Sequence, residues 1–399
     1  MKRIIKNPIL ILSFALVVVM LGFGMVMPIF PFYIAEFGAG GTELGLLIAT
    51  ASLLEFIFGP VWGSISDRIG RKPVLAIGML GYALSTFLFG ISSELWMLFA
   101  SRALSGVLSA AAITTALAYV SDSTPVEERG GGMGKLGAAM AFGVILGPGI
   151  GGWLASDSLS TPFFIASALA LLALLMIIFI LPESLPAEKR QSGGKLLSFD
   201  WRGLWRALSS PIGVLLIMLM LFSFALTNFE AVFGLYALDK YAYGPEQVGT
   251  ILMVVALVST IGKAALTGPA TRRWGEPTVI KASLLAGSIG YLVLLWANSY
   301  TTILLATAFF ILSKTLLRPA TFALISKRST AGQGVTMGLS NSFMSLGRIF
   351  GPLWAGSIYD VNLNMPYLSG SLFMFVGFIA SLIWIKDETQ EAHQELPAH

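Results

Sequence analysis

Residues 63–73 read GSISDRIGRKP, and residues 268–276 read GPATRRWGE. Counted from the first glycine of each stretch, Asp67 and Arg272 lie four residues on, Arg68 and Arg273 five, and Gly70 and Gly275 seven, a superposition at a shift of 205 residues. A second pair, GKLGAAMAFGVILGPGIGGWL from Gly134 and GLSNSFMSLGRIFGPLWAGSI from Gly338, superposes at a shift of 204. Two matches at nearly one shift, in different parts of the chain, mark two homologous halves.

Composition says what the halves are made of. Of 399 residues, 56% are hydrophobic and 12% charged, about half the charged share of a soluble domain. Apolar runs bounded by turn and charge clusters fall at 8–35, 43–66, 74–91, 95–121, 132–156, 161–181, 211–238, 246–270, 278–297, 300–325, 334–358 and 366–386. Crossing about 30 Å of hydrocarbon takes roughly 20 mostly apolar residues. The expected fold is therefore an all-α integral membrane protein, with twelve transmembrane helices in two homologous six-helix bundles. The first run follows Lys2, Arg3 and Lys6, but it is too long for the apolar core of a signal peptide and reads as helix 1.

The basic residues set the orientation. Nineteen of the 25, from Lys2 to Lys386, fall in one alternate set of connections, and only Lys240 falls in the other. Positive loops stay cytoplasmic, which places both termini inside the cell and the protein in the plasma membrane. Residues 182–210, polar and rich in charge, divide the spans six and six. The expected organisation is a first bundle at 1–181, a cytoplasmic linker at 182–210, a second bundle at 211–387 and a cytoplasmic tail at 388–399. In the linker, Trp201, Leu204, Trp205 and Leu208 share one helical face while Arg202 and Arg206 turn to the other, the pattern of a helix lying along a membrane surface.

Several function classes drop out. There is no cysteine, and the two histidines, His393 and His399, both lie in the polar tail, so neither a disulfide scaffold nor a metal centre is expected. The net charge of +4 is accounted for by the loops, so no nucleic-acid partner is expected. The 63–73 loop lacks the GxxxxGK[ST] of a phosphate loop, and no nucleophile or pair of acids stands out, which argues against an enzyme or a nucleotide-driven pump.

The two repeated stretches have a physical reading. Gly63 and Gly70 permit close helix approach and a tight turn, and Asp67, among Arg68, Arg71 and Lys72, can accept hydrogen bonds from helix ends or pair with neighbouring arginines. Gly143, Gly147, Pro148, Gly149, Gly151 and Gly152 put small residues on several faces of helix 5 around a proline, suiting a helix that bends and seals tightly against its partner. GSISDRIGRKP (63–73) resembles motif A of the major facilitator superfamily, SRALSGVLSAA (101–111) its motif B, and GVILGPGIGG (143–152) the antiporter motif C of proton-coupled drug exporters. LGFGMVMPIFP (21–31) resembles the helix 1 signature of twelve-helix drug/proton antiporters. FEAVFGLY (229–236), LLRPA (316–320) and GPLWAGSIYD (351–360) look most like the NorA and Bmr group of Gram-positive multidrug exporters. The resemblance implies a monomeric, multi-pass antiporter that uses the proton gradient and no cofactor. It would expel hydrophobic, often cationic, compounds by alternating access. The alternative on the same fold is an exporter or flippase of one endogenous molecule, such as a lipid-linked sugar or a metallophore.

Charges inside spans are costly and are functional candidates by default. Two acids qualify, Glu55 in helix 2 and Glu230 in helix 7, together with five bases, Arg102, Lys263, Lys314, Arg318 and Arg348. Either acid is a candidate proton carrier, since desolvation disfavours the charged carboxylate. The resemblance implies proton coupling at Glu230 and a tuning role for Arg102, and it places a second acid on helix 10 three residues before the Arg-Pro pair. That position is Thr315, with Lys314 beside it. Glu55 is one substitute acid; the other expectation is a direct Lys314–Glu230 pair released when the glutamate takes a proton. Tyr33, Phe142, Phe229, Phe233 and Tyr236 are candidates to line an apolar cavity, with Lys314 and Arg318 at its polar points.

Overall fold

The structure is a computed structural model that describes residues 8–123, 129–190, 201–329 and 332–385. Lys2, Arg3, Lys6, the middle of the linker, Lys386 and the tail with both histidines lie outside the described residues. The helices are α1 (Pro8–Val26), α2 (Phe30–Glu36), α3 (Gly41–Ile69), α4 (Arg71–Gly90), α5 (Leu95–Leu108), α6 (Ala110–Ser123), α7 (Arg129–Leu154), α8 (Thr161–Phe179), α9 (Trp201–Leu208), α10 (Gly213–Tyr241), α11 (Pro245–Trp296), α12 (Tyr300–Thr315), α13 (Leu317–Arg328), α14 (Gln333–Tyr359) and α15 (Met365–Trp384).

Among the described residues, eleven apolar spans emerge once the breaks are read for their causes, and α14, the counterpart of α7 in the repeat, is the twelfth crossing. α1 and α2 form one span bent by 50°, where Pro28 and Pro31 withhold backbone N–H groups. α5 with α6, and α12 with α13, are single spans running Leu95–Ser123 and Tyr300–Arg328. The second is interrupted at Leu316. Pro319 lacks the N–H that would bond the Thr315 carbonyl, and its ring crowds that carbonyl, so the interruption falls beside Lys314. α11 covers 52 residues and is two spans, separated at Gly275, where φ is +74°. Gly70, its counterpart in the repeat, has φ of +109° between α3 and α4. Both loop glycines of the duplicated motif thus hold a backbone conformation that side chains resist.

The chain divides into two compact units. One comprises residues up to 199 together with Ala237–Met253, the other Asp200–Tyr236 together with Val254 onward. In the first unit α1 packs on α7 and α8, α4 on α8, α5 and α6, and α3 on α5 and α6, around a core that includes Leu12, Leu16, Met79, Tyr119 and Ile177. The linker starts as part of this unit: Leu181 and Leu185 are buried, and the Tyr119 hydroxyl donates to the Pro182 carbonyl at 2.7 Å. α9, the amphipathic segment of the linker, belongs to the second unit, with Trp205 exposed.

Candidate functional site

Three groups of candidate residues come together separately. The first is at the α3–α4 turn. Arg71 is buried and pairs with Asp67 at 2.6 Å and with Asp122 of α6 at 2.7 Å, and it also donates to the Ser66 hydroxyl at 2.5 Å. Asp67 therefore meets an arginine and not a helix end. The start of α4 is capped instead by Glu183, which accepts from the backbone N–H groups of Arg71 at 2.8 Å and Lys72 at 3.1 Å, a carboxylate placed at the positive end of the helix dipole. A Cβ at Gly70 would collide with that carboxylate. Gly63 behaves otherwise than expected: nothing lies within 4 Å of where its Cβ would stand, so it makes no close helix approach. Arg68 is partly buried beside it. Asp122 and Glu183 are distant in the chain from the motif, so the motif by itself does not point to them; the signal for Glu183 is its position immediately after a span and Pro182.

The second group is the glycine helix α7. Cβ atoms at Gly143, Gly147 and Gly151 would run into the α1 backbone at Val17, Leu21, Gly24 and Met25, one contact per turn, the close approach that small residues every fourth position allow. Gly149 and Gly152 face differently. They meet Met253, Pro245 and Gly249 of the α11 start, and the Pro148 carbonyl abuts Gly249. All of these residues belong to the first unit. In the second unit Gly347 and Gly351 repeat the first face, against Met220, Ser223, Phe224, Thr227 and Asn228 of α10.

The third group is the set of charges within spans. Arg102 is partly buried, its guanidinium 4.0 Å from the Phe30 ring centre and 5.5 Å from that of Phe89. Tyr33 packs into the same aromatic knot, with Phe89 and Phe163 at 5.5 and 5.2 Å, and its hydroxyl donates to the Phe89 and Gly90 carbonyls. At 3% exposure it fills the interior of the first unit and lines no open cavity there. Glu55 and Phe142 are exposed on α3 and α7, and Glu55 forms no hydrogen bond or ion pair among the described residues.

In the second unit Phe229, Phe233 and Tyr236 are likewise fully buried; they pack against Phe310 and Tyr367 and against one another. The direct Lys314–Glu230 pair is not formed. Lys314 is 2% exposed, and its ammonium lies 3.8 Å from the Phe310 ring centre and 5.6 Å from that of Phe229, with no hydrogen-bond partner. The two ring faces attract the cation. Glu230 stands one residue from Phe229, whose ring lies 5.6 Å from the Lys314 ammonium. Thr315, in the place of the expected acid, donates its hydroxyl to the Ile311 carbonyl at 2.7 Å and lies 3.4 Å from the Ser259 hydroxyl. It closes on its own helix and offers no charge. Arg318, on the next turn, is exposed over Phe322 at 5.5 Å.

Known proteins resemble the chain over nearly its whole length. A family profile described as Major Facilitator Superfamily matches residues 12–312 and again 215–399. Multidrug resistance protein 2 of Bacillus subtilis (strain 168) is 33% identical over 390 residues, 97% of each chain. Quinolone resistance protein NorA of Staphylococcus aureus is 29% identical over 380 residues, 95% of this chain and 96% of the relative. Among solved structures, the nucleoside transporter NupG superposes with a TM-score of 0.80 at 15% identity, covering 96% of this chain and 100% of that one. The human organic anion transporter MFSD10 (TETRAN) superposes with a TM-score of 0.68 at 22% identity, covering 94% and 99%.

Proposed function

The chain belongs to the Major Facilitator Superfamily, and from that premise we propose that it is a proton-driven exporter of amphipathic, drug-like compounds, working by alternating access in the bacterial plasma membrane. Two relatives matched over nearly their whole length are named for multidrug and quinolone resistance, which supports export of foreign compounds over a single endogenous cargo. The observation that carries the coupling is Glu230: among the described residues it is the only acid well inside a span of the second unit, it adjoins the Phe229 ring that faces Lys314, and no ion pair locks it. A carboxylate held in that way is free to take and release a proton, and each change alters the field on Lys314 and Lys263 by one full charge. The Asp67–Arg71–Asp122 network ties α3, α4 and α6 together, a latch whose making and breaking would accompany the switch between states. On this reading the protein acts as a monomer with both termini cytoplasmic, and its partners are the cargo, protons and the bilayer. The test is reconstitution of the full chain into proteoliposomes with a fluorescent amphipathic dye. An imposed pH gradient should drive dye uphill, a protonophore should abolish the movement, and dye movement indifferent to the gradient would refute proton coupling.

A further inference from the structure

A cavity of about 430 Å³ lies within the second unit, between the two arms of α11 on either side of Gly275 and the end of α12. Trp274 stands at one end of it, Thr278, Ala282 and Ala286 run along one wall, and Leu312 and Leu316 form the other. The rise from Thr278 to Ala286 is about 12 Å, close to the roughly 15 Å of hydrocarbon in one leaflet. Leu316 is the break between α12 and α13, near the middle of the Tyr300–Arg328 span. The cavity is therefore a groove that starts at the Gly275 turn and ends near the midplane of the bilayer.

Its surroundings identify the medium it opens on. The described residues lining it carry no charge, and the hydroxyl of Ser313, a polar one, donates to the Phe310 carbonyl at 2.7 Å. Beyond the groove the same helices continue with exposed apolar side chains, Ile289 and Leu292 on α11 and Leu305 and Phe309 on α12. A stripe of that kind along a span faces hydrocarbon and not a water-filled cavity.

The mouth has the opposite character. Trp274, Arg272 and Arg273 are exposed, and the Arg273 guanidinium lies 5.7 Å from the Trp274 ring centre. Lys281 and Arg328 add basic charge near the same turn, and the acid of the turn, Glu276, is paired with Lys327 at 2.8 Å. Tryptophan and arginine at this level belong to the headgroup layer, and a basic rim favours anionic lipid. A guanidinium fork also matches a phosphate.

We propose that the groove is a binding site for an anionic phospholipid, with one acyl chain along the Thr278–Ala286 wall and the phosphate held by Arg273 beside Trp274. The chain reaches Leu316, so the lipid supports the break of α12 next to Lys314. This site goes beyond the exporter reading and does not depend on it. A soluble phosphate would match the arginine but leave the groove unfilled.

Native mass spectrometry of the full chain in detergent tests this. Titration with palmitoyl-oleoyl phosphatidylglycerol, or with its phosphatidylcholine counterpart, gives the Kd of the first lipid bound. Phosphatidylglycerol should bind about tenfold more tightly, the low end for a hydrogen bond to a charged group. Arg273→Gln should bring the two lipids within about threefold of each other, and Arg273→Lys should keep most of the preference. Lys135→Gln, at an exposed base of the first unit, should leave it unchanged. Ala282→Phe fills the exposed groove, leaves the arginines in place, and should weaken phosphatidylglycerol by about tenfold. Inorganic phosphate and glycerophosphoglycerol, the headgroup without chains, should not compete. Amide exchange across residues 312–320 should slow with phosphatidylglycerol and not with phosphatidylcholine. Equal Kd values in the parent overturn the proposal, as does a preference unmoved by Arg273→Gln. Binding unaltered by Ala282→Phe, or exchange at 312–320 indifferent to the lipid, refutes a chain in the groove. Displacement by inorganic phosphate would make the site one for a soluble anion.

Discussion

The two units place their charge in opposite ways. The first concentrates it at a helix end, where Asp67, Arg71, Asp122 and Glu183 bind one another and cap α4, and among the described residues it puts Arg102 and Glu55 deep inside its spans. The second pairs Glu276 with Lys327 at 2.8 Å at the corresponding turn, and places five ionisable groups near mid-span. Duplication produced the two halves, but the chemistry has since been divided: a mutually satisfied network suits a latch, and an unsatisfied one suits binding and proton exchange. The glycine helices differ in a parallel way. α14 keeps the glycines that approach its own bundle partner, whereas α7 adds Gly149 and Gly152 on another face, against the α11 start.

The comparison can be broken most sharply at its acids. Glu230→Gln should lower pH-driven export by roughly a hundredfold or more, as expected for loss of a proton-transferring group, and Glu55→Gln should change it by less than about threefold. Uptake rates under a fixed gradient decide this, and the reverse order would move the coupling site to the first unit. The next largest effect is expected on stability. Gly151→Val, facing α1 backbone, and Gly347→Val, facing α10 backbone, should each destabilise by about 1–3 kcal/mol or more through overpacking, while Gly149→Ala meets chiefly the flexible thioether of Met253 and should cost under about 1 kcal/mol. Thermal unfolding in detergent measures all three, and an equal loss for Gly149→Ala would mean that both faces of α7 are rigid. The smallest pair compares the two turns. Asp67→Asn should slow turnover by on the order of tenfold with KM little changed, through loss of a charge pair to buried Arg71. Glu276→Gln should change turnover less than about twofold, because Lys327 is half exposed and water can solvate its ammonium once the partner is neutral. Equal effects at the two turns would show that the latch is shared.

How much could be read beforehand follows from the range of each interaction. The twelve spans were legible because hydrocarbon thickness acts on every helix alone, and the two turns because a tight reversal needs a glycine at positive φ, found at Gly70 and Gly275. Glu230 and Lys314 were identifiable as rare charges in apolar runs. Their relation was not: the sequence suggested a direct pair, and the fold interposes Phe310 and Phe229 around the ammonium. Tyr33, Phe229 and Phe233, expected along a cavity, pack inside their own units, since the sequence marks a ring as apolar without saying which neighbour covers it.

The sequence by itself determined the membrane class, the duplication, the location of the turns and the inventory of charges, all of which depend on local composition or on the chain's own repeat. Only the tertiary structure decided the partners. Arg71 is shared between Asp67 and Asp122, Glu183 reaches back across more than a hundred residues to cap α4, and Lys314 is enclosed by rings and not by a carboxylate. Hydrogen bonds and ion pairs act over a few ångströms, so which groups meet is settled by how helices distant in sequence pack, and no periodicity within one helix carries that information.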